Sequence, residues 1–162
     1  MVSSVQHNAR NERLYDDLGE VFARHPSVAA AYVFGSVARG DDRADSDLDI
    51  GVVHTSRTSD DHAALALRLA HEISRASGFE TVDLIDLEAQ GPVFCHRVLC
   101  EGRRIYEGDR ARRIDFESDT IVRALDFRPT YDLAIHDKPA MLRRWLRKRR
   151  DDVRPSRRSW TY

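Results

Sequence analysis

Two aspartates stand two residues apart at the start of an apolar run in the middle of the chain. Asp47 and Asp49 alternate with Leu48 and Ile50. In a β-strand, residues two apart point to the same face, so the two carboxylates project together and the apolar side chains project to the other face. Neighbouring carboxylates repel each other and stay ionised at low cost only beside a positive charge. The pair therefore indicates a site for a divalent metal ion.

A glycine and a serine precede this pair, at the end of another apolar run. Residues 28–34 read VAAAYVF, have the length of a strand and lead into Gly35 and Ser36. Such a turn presents backbone N–H groups and a hydroxyl, which bind phosphate oxygens, and magnesium prefers carboxylates together with the phosphates of its substrate. The stretch is thus typical of a metal–triphosphate site. It differs from a P-loop because two aspartates, rather than Lys and Ser or Thr, follow Gly40.

The spacing of these residues resembles the signature of a known superfamily. Gly35 and Ser36, then ten residues, then Asp47-x-Asp49 resemble the motif of the DNA polymerase β-like nucleotidyltransferases, and the short chain resembles their minimal members. This resemblance implies an α/β (α+β) fold, with a small mixed β-sheet flanked by helices and a helical C-terminal region.

The superfamily uses a third carboxylate on a neighbouring strand, and residues 79–87 offer two candidates. The segment reads FETVDLIDL and alternates, so Asp83 and Asp86 cannot share one face of a regular strand. Asp83 lies in mid-strand, where an unpaired carboxylate is costly unless it faces metal ions. Asp86 lies near the strand end, where water is available. We therefore select Asp83 as the third carboxylate.

The resemblance also implies a role for each residue. Asp47 and Asp49 would hold two Mg²⁺ ions, Asp83 would complete the ion site nearer the nucleophile, and Gly35 and Ser36 would bind the triphosphate of ATP. In two-metal transfer, one ion activates the attacking oxygen and the other holds the triphosphate and the leaving pyrophosphate. The predicted activity is that of a Mg-dependent nucleotidyltransferase whose attacking group belongs to its substrate.

A second resemblance concerns the C-terminal half. The segment EGRRIYEGD at residues 101–109, a helix, and then LDFRP at residues 125–129 resemble the MntA-type antitoxins, minimal nucleotidyltransferases paired with HepT-type toxins. This resemblance implies transfer of AMP to a tyrosine hydroxyl of a cognate toxin within a hetero-oligomer. Two alternatives stay open. One is a small-molecule nucleotidyltransferase, which usually needs an additional substrate-binding domain, and the other is a non-catalytic antitoxin that neutralises its partner by binding.

Hydrophobic periodicity predicts the elements that position these residues. We expect helices over residues 8–24, from Ser59 to Gly78, over 91–101 and over 109–126, and strands over 28–34, 47–54, 79–87 and 103–106. Residues 127–129 are expected to break the helix before them, and a final helix follows with Pro139 as a kink or restart. The run from 47 to 87 is expected to be a strand–helix–strand crossover that places Asp83 in the same sheet as Asp47.

Length and composition indicate one domain and a tail. The chain has 162 residues, of which 41% are apolar, enough for one core. We expect a nucleotidyltransferase core at 1–108, a helical region packed on it at 109–150 and a basic tail at 151–162. The first residues lack the apolar segment of a signal peptide, and no run has the length of a membrane span, so we expect a cytoplasmic protein that does not bind membranes.

Charge is distributed unevenly along the chain. Residues 1–137 contain 16 Arg or Lys against 25 Asp or Glu, whereas residues 138–162 contain 10 against 2. The basic end suits docking on an acidic protein surface, and a nucleic acid is a less favoured partner. The alternative is a solvated helix end that only frays.

Other polar residues have simpler interpretations. Cys95 and Cys100 lie five apart in one predicted helix, which argues against a disulfide, and their spacing with His96 fits no usual zinc pattern, so we expect both to be small packing residues. His54 is expected to be structural and to project opposite the carboxylates. Arg39 is expected either to reach a phosphate or to pair with a neighbouring aspartate.

Overall fold

The computed structural model describes residues 2–41, 46–56 and 62–136, with side chains described for 10–41, 46–56 and 62–127. Nine helices and strands and one 3-10 turn alternate along these residues. In chain order they are α1 (Val2–Ala23), β1 (Val28–Phe34), α2 (Gly35–Arg39), β2 (Leu48–His54), α3 (His62–Ser77), β3 (Val82–Asp86), the 3-10 turn Leu87–Ala89, α4 (Pro92–Glu101), β4 (Arg103–Glu107) and α5 (Arg110–His136).

The four strands form one mixed sheet in the order β3-β2-β1-β4. β1 pairs antiparallel with β2 and with β4, and β2 pairs parallel with β3 through the crossover that contains α3. All seven residues of β1 are buried, as expected for a continuous apolar run at the centre of a sheet. The expected α/β (α+β) class with a small mixed sheet, and the crossover that brings Asp83 into it, are confirmed.

Helices cover both faces of the sheet. On one face, α1 and α3 pack their apolar stripes against alternate residues of β1 and β2, including Leu48, Ile50 and Val52. On the other face, α4 and Phe116 of α5 pack against the remaining residues of β1. Because β2 alternates between these layers, its odd-numbered residues face the side of α4 and its even-numbered residues face the side of α3.

Three predicted boundaries are wrong. α1 begins at Val2 rather than near residue 8, and β3 begins at Val82 rather than at residue 79. α5 runs through Pro129 to His136 instead of breaking at residues 127–129. A proline inside a helix removes one backbone hydrogen bond and strains the preceding turn, but the other hydrogen bonds can still continue the helix past it. The predicted helix start at residues 59–61, the kink at Pro139 and the basic tail lie outside the described residues.

The chain divides into two compact units, residues 1–124 and 125–162. The first contains the whole sheet and both layers of helices. The expected boundaries at 108 and 150 stay predictions. Within the described ranges, no helix combines the length and the apolar character needed to cross a membrane.

Candidate active site

Pairing of β2 with β3 places two of the predicted carboxylates side by side. Asp49 lies opposite Asp83 in the parallel register, and directly paired residues on neighbouring strands project to the same face. Asp47 precedes β2 by one residue and is exposed, as is Asp83, whereas Asp49 is half-buried. We selected Asp83 over Asp86 because a carboxylate in mid-strand was expected to be costly to bury, and the exposure of Asp83 removes that reason. Its position on the strand next to Asp49 is nevertheless the one that the superfamily resemblance implies.

The turn after β1 meets the same carboxylate. Phe34 pairs with Asp49 across β1 and β2, and Gly35 follows with a φ of 73°, in the left-handed region that favours glycine. A methyl group on Gly35 would overlap Oδ2 of Asp49. Glycine is therefore favoured at this position for two reasons: the backbone conformation and the close approach of the Asp49 carboxylate.

The pKa of the central carboxylate is raised. Burial raises the pKa of Asp49, and the charges of Asp83 and Asp47 raise it further, while Arg39 acts in the opposite direction. Among the described residues, the group of three ligand atoms that lie within 4.8 Å of one another belongs to other residues, so the three aspartates do not converge into a closed ligand set.

A cavity of about 370 Å³ opens beside Asp49. Gly35 and Arg39 line it, and α4 adds Arg97 and Glu101. The guanidinium of Arg97 lies 5.6 Å from the centre of the Phe94 ring. Two cations beside a carboxylate and a glycine turn are suited to a polyphosphate with its counterions. Sequence reasoning missed Arg97 and Glu101, since nothing in their spacing connects α4 with a turn sixty residues earlier.

Ser36 and Arg39 lie in the short helix that follows the glycine. Phe34 occupies the N-cap position of this helix, so Ser36 is not its cap and lies in the first turn. Arg39 forms an exposed ion pair with Asp41, with 3.5 Å between Nε and Oδ2. This confirms the expected pairing with a neighbouring aspartate, and an exposed pair of this kind is weak enough to rearrange around a phosphate.

Interpretations of the cysteines and of His54 have mixed outcomes. Both cysteines are free thiols, as expected, and Cys95 is buried. Cys100 is exposed and lies 3.7 Å from the His96 ring, so its assignment as a packing residue is wrong; it falls on the solvent side of α4. His54 is buried and shares the even-numbered face of β2, opposite the carboxylates, as expected.

Known proteins resemble this chain in sequence. Residues 16–111 match the family described as "Polymerase beta, Nucleotidyltransferase". A curated relative, "Protein adenylyltransferase MntA" of Shewanella oneidensis, is 32% identical over 83 residues, which are 50% of this chain and 55% of that protein. The match thus spans about half the length of the curated relative.

Two solved structures share the fold. A chain of the crystal structure of a toxin–antitoxin with AMP-PNP aligns with a TM-score of 0.62 and 22% identity, over 76% of this chain and 96% of that chain. A chain of the complex between tri-AMPylated Shewanella oneidensis HEPN toxin and MNT antitoxin aligns with a TM-score of 0.59 and 20% identity, over 78% and 97% respectively.

Proposed function

Because the chain belongs to the polymerase beta nucleotidyltransferase family, we propose that it transfers AMP from ATP to a hydroxyl group. We further propose that the acceptor is a tyrosine of a cognate HepT-type toxin, which the modification silences, and that the protein acts as the antitoxin. The observation that carries the proposal is the pairing of Asp49 with Asp83 next to Gly35 and the cavity.

Asp47, Asp49 and Asp83 would hold two Mg²⁺ ions. The residues fit hard cations: all three offer carboxylate oxygens, they repel one another, and the pKa of Asp49 is raised by that repulsion and by burial. When bound, the ions would neutralise the triphosphate and activate the attacking hydroxyl.

The residues of the chain would position the substrates. The backbone after Gly35 and the hydroxyl of Ser36 would bind the triphosphate, with Arg39 and Arg97 on its sides. The acceptor oxygen would attack the α-phosphorus and the bond to the bridging oxygen would break, releasing pyrophosphate. Asp83, which is exposed, would accept the proton of the attacking hydroxyl. Catalysis would then consist mostly of positioning and charge neutralisation.

Support for the protein acceptor comes from the relatives. The curated relative is called a protein adenylyltransferase, and the solved structures that share the fold include toxin–antitoxin complexes, one with AMP-PNP and one with an AMPylated toxin. The second unit, residues 125–162, contains the basic segment that we propose for docking on the partner. Those names describe the relatives, and their activity is proposed for this chain.

A labelling experiment tests the proposal. The protein is purified together with the product of the neighbouring gene and incubated with Mg²⁺ and ATP that has a tracer on the α-phosphate. Label on the partner, lost by at least about 100-fold in Asp49→Asn and Asp83→Asn, is expected, because each loses metal ligation worth several kcal/mol. Glu80→Gln, an exposed carboxylate just before β3, is the matched control and should keep the activity.

Other results of the labelling experiment would support the two alternative functions. A stable complex without label would indicate a non-catalytic antitoxin that neutralises its partner by binding. Label on a small molecule when a cell extract is added to the same mixture, with none on protein, would indicate a small-molecule nucleotidyltransferase. Equal labelling by wild type and Asp49→Asn would refute the site assignment itself.

A further inference from the structure

Two histidines and an aspartate meet at the far end of the sheet. His54 ends β2, Asp86 ends β3 and His62 begins α3. One ligand atom from each lies within 4.8 Å of the others. The imidazole rings stack with 3.7 Å between their centres and 14° between their planes, and Nδ1 of His62 lies 3.7 Å from Oδ2 of Asp86.

This cluster is separate from the candidate active site. His54 lies five residues beyond Asp49 on β2, about 16 Å along the strand. It also lies on the even-numbered face of β2, toward α3, whereas Asp49 and Asp83 lie on the face toward α4. The two groups therefore lie toward opposite ends of β2 and on opposite faces of the sheet.

His54 has a nitrogen without a partner. The side chain is only 4% exposed, and its Nδ1 forms no hydrogen bond among the described residues. The ring also hydrogen-bonds the backbone of Ser27. Because Nδ1 has no partner, that hydrogen bond belongs to Nε2, whose N–H donates to the carbonyl. A histidine held in this way by a backbone carbonyl presents its other nitrogen as a lone pair, which is the usual arrangement of a metal ligand.

The carboxylate of Asp86 is also oriented toward the cluster. Oδ1 of Asp86 accepts a hydrogen bond of 2.9 Å from the Glu88 backbone, which leaves Oδ2 directed to His62.

We propose that His54, His62 and Asp86 bind a divalent transition metal ion of the zinc class. Two imidazoles and one carboxylate form a ligand set that zinc accepts, with solvent in a fourth position, whereas Mg²⁺ prefers oxygen ligands alone. Bonds of 2.0–2.2 Å in a tetrahedral site put ligand atoms about 3.3–3.5 Å apart. Ligation would therefore bring the ligand atoms, which lie within 4.8 Å of one another, closer by about an ångström, and would require His62, which is 20% exposed, to turn out of the stack. The ion then ties together the ends of β2 and β3 and the start of α3.

Zinc titration tests this site directly. The full chain is stripped with EDTA and titrated with Zn²⁺ in competition with a chromophoric chelator, with millimolar Mg²⁺ present to fill the catalytic carboxylates. One equivalent is expected to bind per chain. His62→Gln and Asp86→Asn are each expected to weaken the affinity at least tenfold. Zn²⁺ is expected to raise the thermal midpoint of the wild type and to leave that of His62→Gln unchanged.

Control variants separate this cluster from other zinc ligands. His71→Gln removes an exposed histidine from the same helix, and Cys100→Ser removes the thiol beside His96. Both are expected to bind zinc as the wild type does. Circular dichroism of His62→Gln without metal should match the wild type, so that lost binding reports lost ligation.

Several results would overturn the proposal. They are the absence of stoichiometric binding, unchanged affinity in His62→Gln, loss of binding in Cys100→Ser, and loss of binding in Asp49→Asn. The last result would assign the ion to the catalytic carboxylates. None of these readouts depends on nucleotidyl transfer, so the proposal can fail while the proposed function stands.

Discussion

Replacing Asp49 with asparagine should stabilise the protein when no metal is present. The substitution keeps the size of the side chain and removes a half-buried charge whose pKa is raised by burial, by Asp83 and by Asp47. A like-charged pair directly opposite on neighbouring strands costs about 0.2–1 kcal/mol, and Asp47 and burial add to this. We expect a gain of about 0.5–1.5 kcal/mol, or roughly 2–4 °C in thermal midpoint for each kcal/mol in a chain of this size.

The sign of the pH dependence provides a second check. With a raised pKa in the folded state, Asp49 keeps its proton to a higher pH when folded than when unfolded. Stability of the wild type therefore falls as the pH rises through the interval between the ordinary and the raised value. The difference in unfolding free energy between wild type and Asp49→Asn should appear across that pH interval. It should vanish below the interval, where the carboxyl is protonated in both the folded and the unfolded state.

Urea unfolding in EDTA and in Mg²⁺ is the assay. In EDTA, Asp49→Asn should be more stable than the wild type, and Glu80→Gln should match the wild type. Added Mg²⁺ should stabilise the wild type by mass action and have little effect on Asp49→Asn. With Mg²⁺ the wild type should therefore be the more stable of the two proteins. An Asp49→Asn protein that is less stable than the wild type in EDTA would refute the argument from repulsion.

Two further predictions concern the turn and the cavity. Gly35→Ala and Gly78→Ala both force alanine to positive φ, at 73° and 77°, and each should cost about 1–2 kcal/mol in urea unfolding. Only Gly35→Ala should abolish transfer, because its methyl group displaces Asp49 while a methyl at Gly78 meets nothing within 4 Å; full activity in Gly35→Ala would contradict this. Arg97→Gln should raise the KM for ATP about tenfold, which is a loss of about 1.4 kcal/mol of binding free energy, with a smaller change in kcat. Arg68→Gln, at an exposed position of α3, is the control and should leave both constants unchanged. An unchanged KM in Arg97→Gln would remove that residue from the site.

The sequence was sufficient to predict the sheet and the central carboxylates because local patterns encode them. The apolar runs of β1 and β2 and the alternation of β3 are short-range signals. The crossover rule then places β3 in the same sheet as β2. The structure adds that the two strands pair directly, which brings Asp83 next to Asp49. The helix through Pro129 was missed because proline is a strong local signal that the rest of a long helix can override.

Contacts between distant segments could not be predicted in this way. Tyr32 on β1 donates a hydrogen bond of 2.7 Å to Glu117 on α5, which also pairs with Arg113. Arg97 reaches the cavity because α4 packs across β1. The contact between Tyr32 and Glu117 and the approach of Arg97 to the cavity join residues from different elements. Their meeting depends on how the helices pack on the sheet, which periodicity does not specify.

The two edge strands of the sheet determine whether the protein can assemble through its backbone. β3 and β4 have five residues each, and among the described residues no further strand pairs with their open sides, which could template another chain. Charged residues interrupt both edges: Asp83 and Asp86 on β3, and Arg103, Arg104 and Glu107 on β4. Charges of this kind discourage edge-to-edge pairing. The aspartate proposed for catalysis is therefore also one of the charges that discourage strand pairing at its edge, so selection for solubility and selection for chemistry can act on the same side chain.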